Sequence, residues 1–304
     1  METNSSVAAV LSLYNPSDDV VGNCTALIGQ VGHVVAVDDG STQDVSGILA
    51  QLEHLGVTVV RMGSNSGIAS ALNAGIHAAV AHSSNPRFIM TMDQDSHLEP
   101  EYTTKLLSAY ADAIAHSIPV ALVAPGIISG LSTRHRGHVQ GIVLGGEPIQ
   151  SGLLIPVEVL DKLGPLMDEL FIDGVDTEYY LRARNAGMEC VLAPDARLGH
   201  ALGAMVTASL FRRPISIAGR PLRIRTAADF RYYYIFRNRL LLVRRYWRSQ
   251  PAWAVKAVLA DYRHLAIVTV LAPQRIKRLV SAIAGIRDGI SKIGGPRQIL
   301  NSHR

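Results

Sequence analysis

Two aspartates separated by one residue stand at the end of an apolar stretch in the first third of the chain. The stretch reads Phe88-Ile-Met-Thr-Met-Asp-Gln-Asp95, so a segment typical of a buried strand leads directly into Asp93 and Asp95. Side chains two apart on an extended backbone share one face, and hard divalent cations prefer carboxylate oxygens. The pattern suits a metal site, but short acidic pairs are also common at solvated turns.

The elements before this motif alternate between strand and helix. Apolar runs without a polar alternation are typical of parallel strands that are buried on both faces. The expected order is helices at about 17–30, 43–54 and 68–82 between strands at 7–13, 33–37, 57–60 and 88–92. This order predicts a doubly wound α/β sheet, whose ligands bind at the carboxyl ends of the strands.

Polar residues follow two more of these strands. Asp38 and Asp39 open the segment Asp-Asp-Gly-Ser-Thr after the second strand, and Asn65 and Gly67 lie in the loop after the third. Parallel strands bring their carboxyl ends to one edge of a sheet, so these residues should meet the Asp-Gln-Asp motif in one crevice. This convergence favours a ligand site over a solvated turn.

The chain from residue 120 to residue 200 continues the alternation. A strand is expected at 120–124, and residues 132–138 are expected to form a polar, basic loop. A helix should begin near Val175, which places Asp176 in the first turn, at the positive end of the helix dipole.

Two further interactions are expected around this helix. Glu178 and Arg182 are four residues apart and can form an ion pair, and Asp173 lies just before the helix as a possible N-cap.

His200 follows a strand that returns from this helix, next to a glycine. A single histidine is more often a structural residue than a ligand. Its position at a strand end would nevertheless allow the imidazole to join the two carboxylates at a cation.

Charge is distributed very unevenly along the 304 residues. Residues 1–210 contain 9 Lys/Arg and 22 Asp/Glu, whereas residues 211–304 contain 20 Lys/Arg and 3 Asp/Glu. An acidic body with a basic tail predicts contact between the tail and an anionic surface, either lipid headgroups or nucleic acid. A solvated basic face without a partner is the alternative.

The tail interleaves aromatic, aliphatic and basic residues, most densely in 230–247. Such helices are typical of membrane surfaces, where Tyr246, Trp247, Trp253 and Tyr262 would favour the headgroup boundary. An amphipathic helix packed on its own domain is the alternative. No segment is long and apolar enough to predict a transmembrane helix.

Two cysteines, Cys24 and Cys190, are too few to predict a disulfide framework or a cysteine zinc site. The amino end does not read as a signal peptide. These features predict a cytoplasmic protein, and the tail predicts a peripheral position on the inner face of the membrane.

The ordered set of motifs resembles glycosyltransferase family 2, and more narrowly its bacterial rhamnosyltransferases, over about residues 7–245. The motifs are Asp38-Asp-Gly-Ser-Thr42, Asn65-Ser-Gly-Ile-Ala-Ser-Ala-Leu-Asn-Ala-Gly75, Asp93-Gln-Asp95, Ser151-Gly152 and Phe171-Ile-Asp-Gly-Val-Asp-Thr-Glu178. The resemblance implies a GT-A fold, a nucleotide-sugar donor, a divalent metal such as Mg²⁺ or Mn²⁺, and inversion at the anomeric carbon.

The resemblance also implies donor-binding and metal-binding roles for named residues. Asp38 or Asp39 would bind the nucleobase, with Asn65 and Gly67 near the nucleoside. Asp93 would lie beside the ribose and the metal. Asp95 would be a metal ligand, and His200 would complete the metal site.

Asp176 matches the carboxylate that acts as base on the acceptor hydroxyl. Many family members carry an acidic pair at this position, whereas here Val175 precedes Asp176. Asp173, three residues earlier, is therefore the rival base.

These observations predict a catalytic GT-A domain over residues 1–220 and a helical tail over 221–304 that associates with an anionic membrane surface. The donor-binding half would span about 1–125 and the acceptor half about 126–220. The expected reaction moves L-rhamnose from dTDP-L-rhamnose to a lipid-linked or growing cell-surface polysaccharide, such as O-antigen.

There are four alternatives to this reaction: another donor, two other enzyme classes and a nucleic-acid-binding protein. A UDP-sugar donor would keep the same enzyme class. A sugar nucleotidyltransferase would require a Gly-rich phosphate loop after the first strand, where Tyr14-Asn-Pro-Ser17 stands instead, and no Gly-x-Gly-x-x-Gly dehydrogenase motif follows that strand either. A nucleic-acid-binding tail would leave the converging carboxylates unexplained, so no nucleic-acid partner is expected.

Overall fold

The computed structural model describes residues 4–200, 203–210 and 213–297. The chain divides into two compact units. The first contains Met1–Asp168 and Val175–Ala201, and the second contains Glu169–Gly174 and Leu202–Arg304. The second unit therefore begins at Leu202 and takes in a short earlier segment, whereas the division expected from sequence lies at residue 220.

The first unit is an α/β structure. Its strands are β1 Val7–Leu13, β2 His33–Asp38, β3 Thr58–Arg61, β4 Phe88–Asp93, β5 His97–Leu98, β6 Val120–Ile128, β7 Leu131–Ser132, β8 His135–Val139, β9 Ile142–Gly145, β10 Leu153–Pro156 and β11 Glu189–Gly199. Its α-helices are α1 Asp19–Ile28, α2 Ser46–His54, α3 Ile68–Val80, α4 Tyr102–Ala115, α5 Val157–Leu163 and α6 Val175–Asn185. Short 3₁₀ turns lie at Asn4–Ser6 and Asp168–Leu170.

The strands form one mixed sheet in the order β3-β2-β1-β4-β10-β6-β11-β9-β8, with β5 on β11 and β7 on β6. β1, β2, β3 and β4 are parallel, and β10 runs antiparallel between β4 and β6. The order reverses at β1, which has β2 on one side and β4 on the other. Open α/β sheets bind ligands at such a reversal, so the predicted doubly wound α/β fold is confirmed.

Burial explains why these segments are strands. β1 is buried along almost its whole length, and the central residues of β2 and β4 are buried as well. A strand that lies between two neighbours and under helices on both faces needs continuous apolar sequence. The run Val7–Leu13 satisfies that requirement without alternation.

The expectation of a loop at 132–138 is wrong. Residues 135–139 form β8, which pairs antiparallel with β9 at the end of the sheet. Most of β8 is exposed, so polar and basic residues are compatible with an edge strand there. Such a strand lacks the apolar face that would reveal it in the sequence.

Within the residues that the structure describes, the second unit contains short antiparallel strand pairs and three long helices. The strands are β12 Ala204–Thr207, β13 Ser209–Leu210, β14 Arg213–Pro214, β15 Ser216–Ile217, β16 Arg220–Pro221 and β17 Arg223–Thr226. The helices are α7 Arg231–Tyr246, α8 Pro251–Leu271 and α9 Arg275–Ile290. Val206 and Ile224 pack against a core that includes Tyr232 and Phe236, which explains why this unit begins before residue 220.

The aromatic residues of α7 are core residues. Tyr232, Tyr233, Phe236 and Tyr246 are all buried, so α7 is the amphipathic helix packed on its own unit that stood as the alternative. Trp253 is partly buried, with the Arg239 guanidinium 5.1 Å from the centre of its ring. Two of the four aromatic residues expected at a membrane surface, Trp247 and Tyr262, are exposed. Among the described residues, no helix combines the length and hydropathy needed to cross a bilayer.

Candidate active site

The strand register brings the first acidic residues together at one edge of the sheet. Asp38 at the end of β2 pairs with Leu13 of β1, and Asp93 at the end of β4 pairs with Ser12. The two aspartates therefore flank the carboxyl end of β1, at the point where the strand order reverses. Their convergence follows from the parallel sheet.

His200, directly after the end of β11, brings an imidazole to the same place. Asp93, Asp95 and His200 offer ligand atoms that all lie within 4.8 Å of one another. Nδ1 of His200 is 3.3 Å from Oδ1 of Asp95, and Nε2 is 3.9 Å from Oδ2 of Asp93. Two carboxylates and an imidazole form a donor set that fits a divalent cation.

β11 positions His200 through backbone pairing. Gly199 pairs with His97 and Leu198 with Leu98, so the end of β11 runs beside the segment that follows Asp95. The Ser129 hydroxyl donates to the carbonyl oxygen of His200 at 2.6 Å and accepts from its N–H at 3.1 Å. Both the N–H and the carbonyl oxygen of His200 are therefore hydrogen-bonded to one side chain.

Two serine hydroxyls connect β4 to the imidazole. The N–H of Asp93 donates to Oγ of Ser151 at 3.0 Å, and the Ser151 hydroxyl donates to Oγ of Ser96 at 2.8 Å. Oγ of Ser96 lies 2.9 Å from Nδ1 of His200. Sequence reasoning missed Ser96, although its place directly after Asp95 was an available signal.

The same contacts set the charge of Asp95. The hydrogen bond to His200 is the main cause that lowers the pKa of this carboxyl, and it outweighs desolvation by burial. Asp95 is therefore ionised at neutral pH, as a cation ligand must be.

Both carboxylate oxygens of Asp39 accept hydrogen bonds from the backbone. The residue is buried, and its Oδ1 and Oδ2 accept from the N–H groups of Ser66 at 2.7 Å and Gly67 at 2.8 Å. Burial raises the pKa of Asp39, while these two hydrogen bonds oppose the rise. Asp39 therefore fixes the loop that contains Asn65 and Gly67.

One carboxylate oxygen of Asp38 accepts hydrogen bonds from a neighbouring serine. Its Oδ1 accepts from the Ser41 hydroxyl at 2.5 Å and from the Ser41 N–H at 3.2 Å. Gly40 between them has φ +66, and a Cβ on it would lie 2.4 Å from the Ser64 carbonyl carbon. The Asp38–Thr42 segment thus packs against the loop at 64–67 in a way that requires glycine.

Asn15 is a further residue at this edge that sequence reasoning missed. Its Oδ1 accepts from the N–H groups of Thr42 at 2.9 Å and Gln43 at 3.0 Å. Just before it, the N–H of Tyr14 donates to Oε1 of Gln94 at 2.8 Å. The end of β1 therefore links the two acidic segments, and the signal was a polar pair directly after the first buried strand.

Asn65 carries a buried acceptor. Its Oδ1 has no hydrogen-bond partner among the residues that the structure describes. Buried polar atoms are normally paired with protein, water or ligand, so this oxygen is suited to accept from a bound molecule.

Asp176 lies in the first turn of α6, as predicted. The N–H of Thr177 donates to its Oδ1 at 2.7 Å, and the Thr177 hydroxyl donates to Oε1 of Glu147. Two residues further along, Glu178 is fully buried and paired with Arg182, which confirms the predicted ion pair.

Asp173 belongs to the second unit and does not cap α6. The helix begins at Val175, so the capping position falls on Gly174 and the N-cap expectation is wrong. Both oxygens of Asp173 instead face the Arg231 guanidinium, with Oδ2 3.1 Å from Nε and Oδ1 in contact with Nη2. Nδ2 of Asn238 donates to the carbonyl oxygen of Asp173 at 2.6 Å.

Comparison with known proteins agrees with this geometry. Residues 9–140 match the family described as Glycosyl transferase family 2. The chain is 30% identical to the dTDP-rhamnosyl transferase RfbF of Shigella flexneri, over 96% of this chain and 98% of that protein. It is 25% identical to the succinoglycan biosynthesis protein ExoO of Rhizobium meliloti (strain 1021), over 90% of this chain and 87% of that one.

A solved structure shares the fold. The crystal structure of GalNAc-T7 with UDP, GalNAc and Mn²⁺ superposes with a TM-score of 0.52 at 15% identity, over 64% of this chain and 42% of that chain. With the strand order described above, this likeness identifies the first unit as a GT-A fold. The chain belongs to glycosyl transferase family 2 and is a glycosyltransferase, as the ordered motifs of its sequence predicted.

Proposed function

We propose that this enzyme transfers L-rhamnose from dTDP-L-rhamnose to a hydroxyl of a lipid-linked or growing cell-surface polysaccharide, with inversion at the anomeric carbon. The observation that carries the proposal is the grouping of Asp93, Asp95 and His200 at the switch point of the sheet. The 30% identity to a dTDP-rhamnosyl transferase, over nearly the whole of both chains, supports the donor.

Asp93, Asp95 and His200 would hold Mg²⁺ or Mn²⁺. When bound, such an ion supplies positive charge beside the diphosphate that leaves as the sugar is transferred. The ionised state of Asp95 supports this role. The donor set includes a nitrogen besides the oxygens, and Mn²⁺ accepts imidazole more readily than Mg²⁺ does.

The loops around β1 and β2 would bind the nucleoside. Asp38 has Oδ1 engaged by Ser41, and we assign contact with the nucleobase to its second oxygen. The buried Oδ1 of Asn65 would accept from the ligand, while Asp39 and Gly67 hold the loop in place. This assignment favours Asp38 over Asp39 for the nucleobase, because both oxygens of Asp39 accept backbone hydrogen bonds.

Asp176 would act as the base. As the acceptor oxygen bonds to the anomeric carbon, its proton passes to the Asp176 carboxylate and the bond to the departing diphosphate breaks on the opposite face. General-base help of this kind contributes about 10²–10⁴-fold to the rate. The pairing of Asp173 with Arg231 supports Asp176 over Asp173, because the guanidinium occupies both oxygens of the rival.

The basic second unit would place the enzyme on the cytoplasmic face of an anionic membrane, near a lipid-linked acceptor. The excess of Lys/Arg in residues 211–304 supports this location. Catalysis would then reside in residues 1–220 and membrane association in residues 221–304.

A thermal-shift panel tests the donor. The full-length protein would be heated with dTDP, dTDP-L-rhamnose, UDP and UDP-sugars, each with and without Mn²⁺. A ligand at 100 times its dissociation constant adds about 2.7 kcal/mol to the free energy of unfolding when it binds the native state alone. We expect the dTDP compounds to give a larger, Mn²⁺-dependent shift than the UDP compounds.

Asp95→Asn is the matched control, since it removes one ligand charge and keeps the shape of the side chain. This variant should melt normally without ligand and lose the Mn²⁺-dependent part of the shift. A shift with UDP-sugars alone would overturn the rhamnose assignment, and equal shifts with and without Mn²⁺ would overturn the metal role.

A further inference from the structure

Helix α9 turns its small residues toward its own unit. Ser281, Ala282, Gly285 and Gly289 are buried on the side that packs against α7. A Cβ on Gly285 would lie 2.2 Å from the carbonyl oxygen of Tyr233, so the two helices are in backbone contact there. The buried face of α9 is therefore built largely from small side chains, together with Arg278, whose guanidinium donates to the carbonyl oxygens of Val268 and Pro273.

Four large aliphatic residues of α9 face the other way, whereas Ile286 packs against the core of the unit. We call Ile276, Val280, Ile283 and Ile290 the outward stripe; their exposed fractions are 77%, 57%, 64% and 62%. Their spacings of four, three and seven residues place them on one side of the helix, together with the exposed Arg287, four residues after Ile283. An ordinary surface helix instead buries most of its large apolar residues.

Helix α8 adds exposed apolar residues of the same kind. Val255, Leu259 and Tyr262 have exposed fractions of 47%, 65% and 48% and share one helix face through their spacing of four and three. Exposed apolar surface of this extent on neighbouring helices marks a contact site.

The charges around this apolar surface have one sign. Residues 251–297 contain two carboxylate side chains, and neither is exposed: Asp261 pairs with Arg239, and Asp288 pairs with Arg287 and accepts from the Tyr233 hydroxyl. The exposed charged residues of this region are all cations: Lys256, Arg263, Arg275, Lys277, Arg287 and Lys292.

We propose that the outward stripe of α9 is the membrane-contact surface of this enzyme, and that it inserts among the acyl chains of an anionic bilayer while the surrounding cations meet the headgroups. The inference rests on the peripheral membrane association proposed above and identifies its surface. Aliphatic residues bordered by Lys and Arg are what an interfacial helix requires.

A second copy of the chain fits this surface less well. Two copies that met through α9 would bring the cations of each against those of the other, and like charges across an interface oppose association. An anionic lipid surface neutralises the same cations.

The test is cosedimentation of the full-length protein with vesicles of phosphatidylcholine alone or of phosphatidylcholine and phosphatidylglycerol in a 3:1 ratio. The variant is the double substitution Val280→Asp and Ile283→Asp, at exposed positions where the fold tolerates charge. Leu131→Asp, an exposed apolar residue of the first unit, is the matched control, with an exposed fraction of 58%.

We expect wild type and Leu131→Asp to bind the anionic vesicles equally and the double variant to bind at least tenfold more weakly. Unchanged binding by the double variant would overturn the proposal for α9 and leave membrane association through another surface. If wild type itself fails to bind anionic vesicles while it still transfers sugar, both membrane proposals fail and the catalytic assignment stands. A wild-type dimer that becomes a monomer in the double variant, with vesicle binding unchanged, would assign the stripe to a second copy.

Discussion

Oγ of Ser96 lies 2.9 Å from Nδ1 of His200 and receives a hydrogen bond from the hydroxyl of Ser151, which in turn accepts from the N–H of Asp93. The imidazole is therefore joined through two hydroxyls to the backbone of another residue of the candidate metal site. With Nδ1 engaged by Ser96 and Asp95, Nε2 is the nitrogen directed at Asp93. Outer hydrogen bonds of this kind orient a ligating histidine and set its tautomer.

Ser96→Ala should weaken Mn²⁺ binding about 10–100-fold, because the imidazole loses its outer hydrogen bond. The dissociation constant can be measured by electron paramagnetic resonance of free Mn²⁺, without any substrate. Ser46→Ala is the control, since the Ser46 hydroxyl bonds to the exposed Asp44 carboxylate and not to a candidate metal ligand. Equal Mn²⁺ affinity in wild type and Ser96→Ala would show that Ser96 does not position His200.

Asp176→Asn should lower kcat by about 10²–10⁴-fold and leave the dissociation constant of the donor unchanged, because the amide cannot take the acceptor proton. Single-turnover transfer and donor titration separate the two effects. Asp173→Asn is the comparison: it breaks the ion pair with Arg231 and should lower the melting temperature while transfer persists. The opposite pattern, with transfer lost in Asp173→Asn alone, would identify Asp173 as the base.

Asp39→Asn should destabilise the native state by about 1–3 kcal/mol, because one of the two N–H groups that bond to this buried carboxylate loses its acceptor. The N–H groups belong to Ser66 and Gly67. Urea denaturation measures the loss. Asp44→Asn is the matched control. Asp44 also accepts a hydrogen bond from a backbone N–H, that of Ser46, but its carboxylate is exposed to water. Equal stability of the two variants would contradict the structural role of Asp39.

His264 should contribute to the pH dependence of stability. Burial is the main cause that lowers its pKa, and its Nε2 lies 3.1 Å from the Tyr232 hydroxyl. The folded state therefore favours neutral imidazole, so the associated stability is fully present above the unfolded pKa of about 6.5 and is lost as pH falls through the folded pKa.

Melting temperatures of wild type and His264→Gln, measured from pH 7.5 to pH 5, check this expectation. The variant should lose less stability over that range, while His116→Gln, at an exposed site, should follow wild type. Parallel curves of melting temperature against pH for wild type and His264→Gln would contradict a role of His264 in the pH dependence of stability.

The sequence by itself determined the fold class and most of the candidate site. The apolar run Val7–Leu13 and its partners predict buried parallel strands, and parallel strands align their carboxyl ends without further information. The juxtaposition of Asp38 and Asp93 across β1 follows from that rule alone. Motif order was sufficient to predict the family, because it depends on residue types and spacing.

Tertiary structure decided which of two similar residues is engaged within the fold. Asp38 and Asp39 are adjacent and chemically identical in the sequence, yet Asp39 is buried with both oxygens on the loop at 66–67. Asp173 and Asp176 are equally alike, and Arg231, 58 residues away, engages Asp173. Long-range partners of this kind leave no local pattern.

Tertiary structure also decided which helix of the basic tail offers an apolar surface. The sequence favours α7, whose residues are the most aromatic, but α7 supplies the core of its unit. α9 packs largely through small residues and leaves Ile276, Ile283 and Ile290 exposed. Periodicity identifies the two faces of a helix, and only the neighbouring elements determine which face is covered.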